Sequence, residues 1–193
     1  MQLHFSFNLR GIVFSALFAA LLVVFSMVTI NLGFSPVPIT LQSMAVLLAG
    51  ALLGARYGFF SMALVVVLTA LGLPLLHGNG GLAYLLGPTG GFVFGFPFAA
   101  LFVGFIVPRI KGNRAFVFVM TFLALEAGSL LLHVIGVPWL AHVARYSLQK
   151  AMIQGSYPFL LGDTIKALAA TFIVLTVRRA FPIQRLVGDS RSA

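Results

Sequence analysis

Residues 12–30, IVFSALFAALLVVFSMVTI, contain no charged side chain. A helix rises 1.5 Å per residue, so such a run reaches about 28 Å, close to the roughly 30 Å hydrocarbon core of a bilayer. Similar runs recur along the chain. They are apolar all round rather than on one face, as expected of helices surrounded by lipid or deep protein. Six spans are expected, at about 12–30, 39–54, 57–76, 91–107, 115–135 and 159–177. The second is short for a crossing helix. Hydrophobic residues make up 61% of the chain and charged residues 8%, against about 25% charged in soluble domains. The expected fold is therefore all-α: one polytopic membrane domain over residues 1–193 with six transmembrane helices.

The basic residues orient it. Arg10, Arg56, Arg109, Lys111, Arg114, Arg178, Arg179, Arg185 and Arg191 fall at one set of helix ends, and only Arg145 and Lys150 at the other. Cytoplasmic loops carry the excess of Lys and Arg, so both termini are expected in the cytoplasm of a cell bounded by this membrane. The net charge of +9 would suggest nucleic acid in a soluble chain. Here it marks topology at the headgroups, so the bilayer is the expected partner and nucleic acid is not. The apolar run of the first span exceeds the 7–15 residues of a signal-peptide core, and is expected to be retained. Cysteine is absent, and the histidines at 4, 77, 133 and 142 show no metal-ligand spacing, so no metal or cofactor is expected.

Polar groups inside the spans are the candidates for function. Asp163 and Lys166 lie three residues apart, on one face of the sixth span and in its outer half. Ionisable residues there cost roughly 2.5–3.5 kcal/mol to insert and usually face a cavity or a partner. They form either a structural ion pair or a recognition point for a polar ligand. The loop LHGNGGLAYLLGPTGG, residues 76–91, lies on the same side and is longer than two antiparallel helices need. Its glycines admit close backbone approach, and Asn79 and Tyr84 supply donors and acceptors. Gln42, near the outer end of the second span, could bond a ligand or another helix. Glu126 sits mid-span with His133 two turns on, and is either a relay acid or a partnered buried acid. Ala16 and Ala20, four apart, allow close helix approach, whether within the fold or to another chain. The stretch WLAHVARYSLQKAM, residues 139–152, suggests an amphipathic surface helix anchored by Trp139 and Tyr146.

No nucleophile–base pair, paired catalytic acids or metal cluster supports an intramembrane enzyme. No ATPase motif is present, so energy for transport would come from partners, or from a proton gradient in a stand-alone carrier.

PVPITLQSMAVLLAGALLGARYG, GLPLLHGNGGLAYLLGPTGGF and PFLLGDTIKA together resemble BioY, the biotin-specific S-component family of energy-coupling-factor (ECF) transporters. The resemblance runs from about residue 10 to 180. It implies a six-helix S-component that binds biotin near the outer surface, assembled with an ECF transmembrane coupling subunit and two ATPase subunits. It assigns biotin contacts to Asp163, Lys166 and Asn79, with Tyr84 as a weaker candidate, and coupling-subunit contacts to Ala16 and Ala20. A related S-component for another vitamin is the alternative. One position departs: where some members carry an arginine after this loop, the chain has Val93, so carboxylate recognition would fall to Lys166 or to backbone and hydroxyl groups.

Overall fold

A computed structural model of the chain describes residues 8–181. His4, Arg185 and Arg191 lie outside the described residues. The elements are α1 (Leu9–Met27), β1 (Thr29–Ile30), β2 (Ile39–Thr40), α2 (Gln42–Ala70), α3 (Leu82–Leu85), α4 (Gly90–Ile106), a short 3-10 turn (Val107–Arg109), α5 (Arg114–Val143), α6 (Leu148–Gly155) and α7 (Tyr157–Ala180). Asn8 and Asn113 cap α1 and α5, their side chains accepting from the Arg10 and Phe116 amides. Such caps satisfy amides that a helix start leaves unpaired.

Among the described residues, 5 helices are long and apolar enough to cross a membrane, not six. The expected second and third spans fall on the single element α2. Its ladder is broken only at Gly54, where φ 80 and ψ 176 leave the helical region. A Cβ on Gly58 would lie 2.9 Å from the Gly50 Cα. Eight residues of straight helix would separate those positions by about 12 Å. The arms 42–53 and 55–70 therefore double back on each other at Gly54, a conformation glycine adopts at no steric cost. Sequence places the break correctly: two helical arms meet at Gly54 with no loop between them.

Lipid offers no hydrophobic drive between helices, so small residues that permit close packing hold such bundles together. Helix α2 packs most extensively on α4 and α1. At its centre a Cβ on Gly50 would meet the Ala100 carbonyl at 2.4 Å, and Ala49, Ala99 and Ala100 are fully buried. Hydroxyls add ties: Ser61 Oγ donates to the Ser15 carbonyl at 2.7 Å, and Ser15 Oγ to the Tyr57 carbonyl at 3.2 Å.

Two ends emerge. At one, the Asn8 amide donates to the Tyr57 hydroxyl at 3.0 Å and Arg178 Nη1 to the Val107 carbonyl at 3.0 Å, gathering the arginine-bearing segments. At the other, Ser35 Oγ donates to the Gln154 carbonyl at 2.6 Å and the His77 amide to Ser26 Oγ at 3.2 Å. This end holds the β1–β2 hairpin, paired Thr29 to Thr40 and Ile30 to Ile39, together with α3 and α6.

Helix α5 continues past Pro138 to Val143, eight residues beyond the expected span. Proline removes one amide, and packed membrane helices tolerate this. The expected surface helix therefore begins at Leu148 instead of Trp139. Trp139 belongs to α5 and ties it to the glycine loop, Nε1 donating to the Gly87 carbonyl at 2.9 Å.

Candidate functional site

Asp163 is 5% exposed in α7, at the hairpin end of the bundle. Lys166 Nζ lies 2.5 Å from its Oδ1. Spacing along α7 accounts for that contact, but two more come from elsewhere. Ser43 Oγ, in the first turn of α2, donates to Oδ1 at 3.2 Å. His133 Nε2, from α5, lies 2.8 Å from Oδ2. Lys166 Nζ also donates to the Thr40 carbonyl at 3.0 Å and to Ser43 Oγ at 2.8 Å. An ammonium has three N–H donors, and Asp163, Thr40 and Ser43 occupy all of them. Lys166 thus ties α7 to the β2–α2 junction, and reaches a ligand directly only by exchanging one of these partners.

The cluster forms the floor of a cavity of about 70 Å³, lined by apolar residues including Phe92, Phe96 and Phe159 and by the polar groups Gln42, His77 and Tyr84. Val93 lines it too and is 1% exposed. Gln42 Nε2 and His77 Nε2 are buried without a hydrogen-bond partner among the described residues. A buried polar atom left unsatisfied costs about 1–3 kcal/mol, so both favour an incoming partner. Gln42 is otherwise held by Thr40, whose hydroxyl donates to Oε1 at 3.3 Å.

A second cavity, of about 560 Å³, lies beyond the first and shares Pro38, His77, Tyr84 and Thr89 with it. The wall between them contains the His77–Tyr84 contact, Nδ1 to the hydroxyl at 3.0 Å. His77 holds φ 55, a strained conformation for a side-chain-bearing residue. Burial pushes its imidazole below the usual range and the Tyr84 phenol above its own. Asn79 lines only the outer cavity, where its Nδ2 donates to the His77 carbonyl at 3.0 Å. Four of the sequence-selected residues, Asp163, Lys166, Gln42 and Tyr84, thus meet at the inner cavity.

The remaining candidates lie apart. Thr164 Oγ1 donates to Glu126 Oε1 at 2.9 Å, joining α7 to α5 below the cavity. Ala16 and Ala20 are exposed on α1, whose buried stripe is Gly11, Ser15, Ala19, Leu22 and Ser26. The pair therefore does not serve packing within the described fold. Sequence reasoning missed Ser43 and Thr40, and noted His133 only as a neighbour of Glu126. The available signal was depth: His133 and Asp163 lie near the outer ends of their helices, but nothing local says that their faces meet.

The BioY family model matches residues 1–183. A biotin transporter BioY from Rhizobium etli is 40% identical over 180 residues, covering 90% of this chain and 96% of that protein. A probable biotin transporter BioY from Pyrococcus horikoshii is 40% identical over 159 residues, covering 82% and 90%. Among solved structures, the S-component for biotin from an ECF-type ABC transporter, at 2.1 Å, superposes with TM-score 0.82 and 30% identity over 92% of this chain and 95% of that one. Sequence match, fold and multi-pass architecture agree: the chain belongs to the BioY family of membrane transporter components and is not an enzyme.

Proposed function

We propose that this protein is the biotin-binding subunit of a biotin uptake system, energised by an ECF coupling subunit and two ATPase subunits. The observation that carries the reading is the hydrogen-bonded Asp163 on the floor of an otherwise apolar cavity. Biotin has a ureido ring with two N–H donors and a carbonyl, an apolar thioether ring, and a carboxylate tail. A carboxylate has about four acceptor sites, and Lys166, Ser43 and His133 occupy three of them. One site remains for a ureido N–H, while Gln42 Nε2 can donate to the ureido carbonyl.

The inner cavity alone is far below the roughly 300–1,000 Å³ of pockets that enclose drug-sized ligands. The ring system would therefore occupy the inner cavity and the tail the outer one, the His77–Tyr84 contact parting to join them. Calorimetric titration of the purified chain with biotin, thiamine and riboflavin tests the assignment. Saturable one-to-one binding of biotin alone is expected. Heat from another vitamin without heat from biotin would reassign the substrate.

Arg10, Arg56, Arg109, Lys111, Arg114, Arg178 and Arg179 fall at the end opposite the cavity and only Arg145 and Lys150 at the cavity end, which supports a cytoplasmic-membrane orientation with both termini inside and the cavity facing out. The chain has no cysteines, so single cysteines report cleanly. A membrane-impermeant maleimide added to intact cells should label Asn31→Cys and Leu148→Cys and spare Lys111→Cys. The reverse pattern would turn the site to the cytoplasm and remove uptake as its purpose.

A further inference from the structure

The outer cavity is larger than biotin's short acid tail requires. Its volume of about 560 Å³ falls within the roughly 300–1,000 Å³ of pockets that enclose whole drug-sized ligands. With the rings in the inner cavity, the tail alone would leave most of that space free.

The lining does not suit a buried carboxylate. Among the described residues that form it, Thr29, Asn31, Asn79 and Thr89 offer neutral polar groups, and none is a lysine, an arginine or an acid. Its titratable members are His77 and Tyr84, and burial disfavours the charged form of that imidazole. Lys166 lines only the inner cavity, where Asp163, Thr40 and Ser43 hold its donors. Arg145 and Lys150 belong to the same end of the bundle but line neither cavity. Lys150 instead covers the Tyr146 ring, 4.1 Å from its centroid.

Burying a charge without a partner is costly, so a carboxylate placed here must keep its water. A neutral amide asks for less. Hydroxyls and asparagine N–H groups can donate to its carbonyl oxygen, and asparagine carbonyls can accept from its N–H. Asn79 is suited to both: one N–H donates to the His77 carbonyl at 3.0 Å, while its other N–H and its Oδ1 have no hydrogen-bond partner among the described residues.

We infer that the site takes biotin in amide-linked form as well as free, with the rings in the inner cavity and the group joined to the carboxyl in the uncharged outer one. The ligand class runs from biotinamide to biotin joined through its carboxyl to the lysine side chain. The inference rests on the biotin reading above and widens its substrate class from the acid to neutral carboxyl derivatives.

Calorimetry on the full chain near neutral pH compares biotin, biotinamide and biotinyl-lysine. Both amides should bind one-to-one and within about tenfold of biotin. A greater loss is the mark of a charged contact to the carboxylate and overturns the inference. Ala83 is exposed and lines the outer cavity, so Ala83→Trp narrows that space alone. It should weaken biotinyl-lysine about tenfold more than biotin. Equal changes for the two ligands would put the lysine group elsewhere and overturn the role of the outer cavity. Should Ala83→Trp not fold, the wild-type comparison decides. A wild type that binds biotin and neither amide rejects this inference alone, whereas one that binds none of the three rejects the biotin reading with it.

Discussion

Asp163→Asn is expected to weaken biotin binding about ten- to a hundredfold. The amide keeps the shape and one acceptor but loses the charge, and a charged hydrogen-bond partner in a buried site is worth roughly 1.5–3 kcal/mol. Asp163→Ala should be worse. It leaves Lys166 buried with only Thr40 and Ser43, and His133 Nε2 without its carboxylate. Removing one partner of a buried ion pair costs about 3–5 kcal/mol of stability. Affinity and thermal unfolding measured on the same preparations separate recognition from support. If the cluster serves structure alone, the double variant Asp163→Asn with Lys166→Met, which removes both charges, should recover stability and full biotin affinity together. If Asp163 receives the ureido group, stability should recover while affinity stays low. Full affinity in the double variant would end the recognition proposal.

Replacing Ala16 and Ala20 together with tryptophan is expected to abolish copurification with the ECF coupling subunit and leave biotin affinity within about twofold. Both residues face away from the bundle, so the added indoles meet no neighbour within the described fold. Exposed substitutions usually change stability by no more than about 0.5 kcal/mol. Close helix contact in lipid depends on small residues, and two indoles would hold an approaching helix away. Pull-down with the tagged coupling subunit, paired with calorimetry, reads both effects. Intact assembly would place the docking surface elsewhere, and loss of biotin binding would mean that α1 supports the cavity.

Much of this was legible because membrane helices carry simple signals. Long uncharged runs located α1, α4 and α7 to within a few residues, since the bilayer fixes the length of apolar helix it accepts. Helical spacing put Asp163 and Lys166 on one face without reference to any other segment. The count of spans differs at one place for a physical reason: a glycine at positive φ joins two helical arms with no loop between them, and composition cannot tell this from a turn. The fifth helix ends later than expected, beyond Pro138, a residue that breaks soluble helices. Within a packed membrane bundle α5 runs through it.

Sequence by itself determined that the chain lives in a membrane, how its basic residues divide between the two ends, and that an acid and a base share one turn of its last helix. These follow from local composition and the 3.6-residue period, which act on each segment alone. Only the tertiary structure decided what surrounds that acid. Ser43 and His133 reach it across 120 and 30 residues of chain, and His77 and Tyr84 divide the space above it. Which faces of two helices meet is set by the fit of small residues such as Gly50 against Ala100. Periodicity gives a helix its faces but does not choose its neighbour, and here that choice sets Ser43 and His133 around the acid that pairs with Lys166.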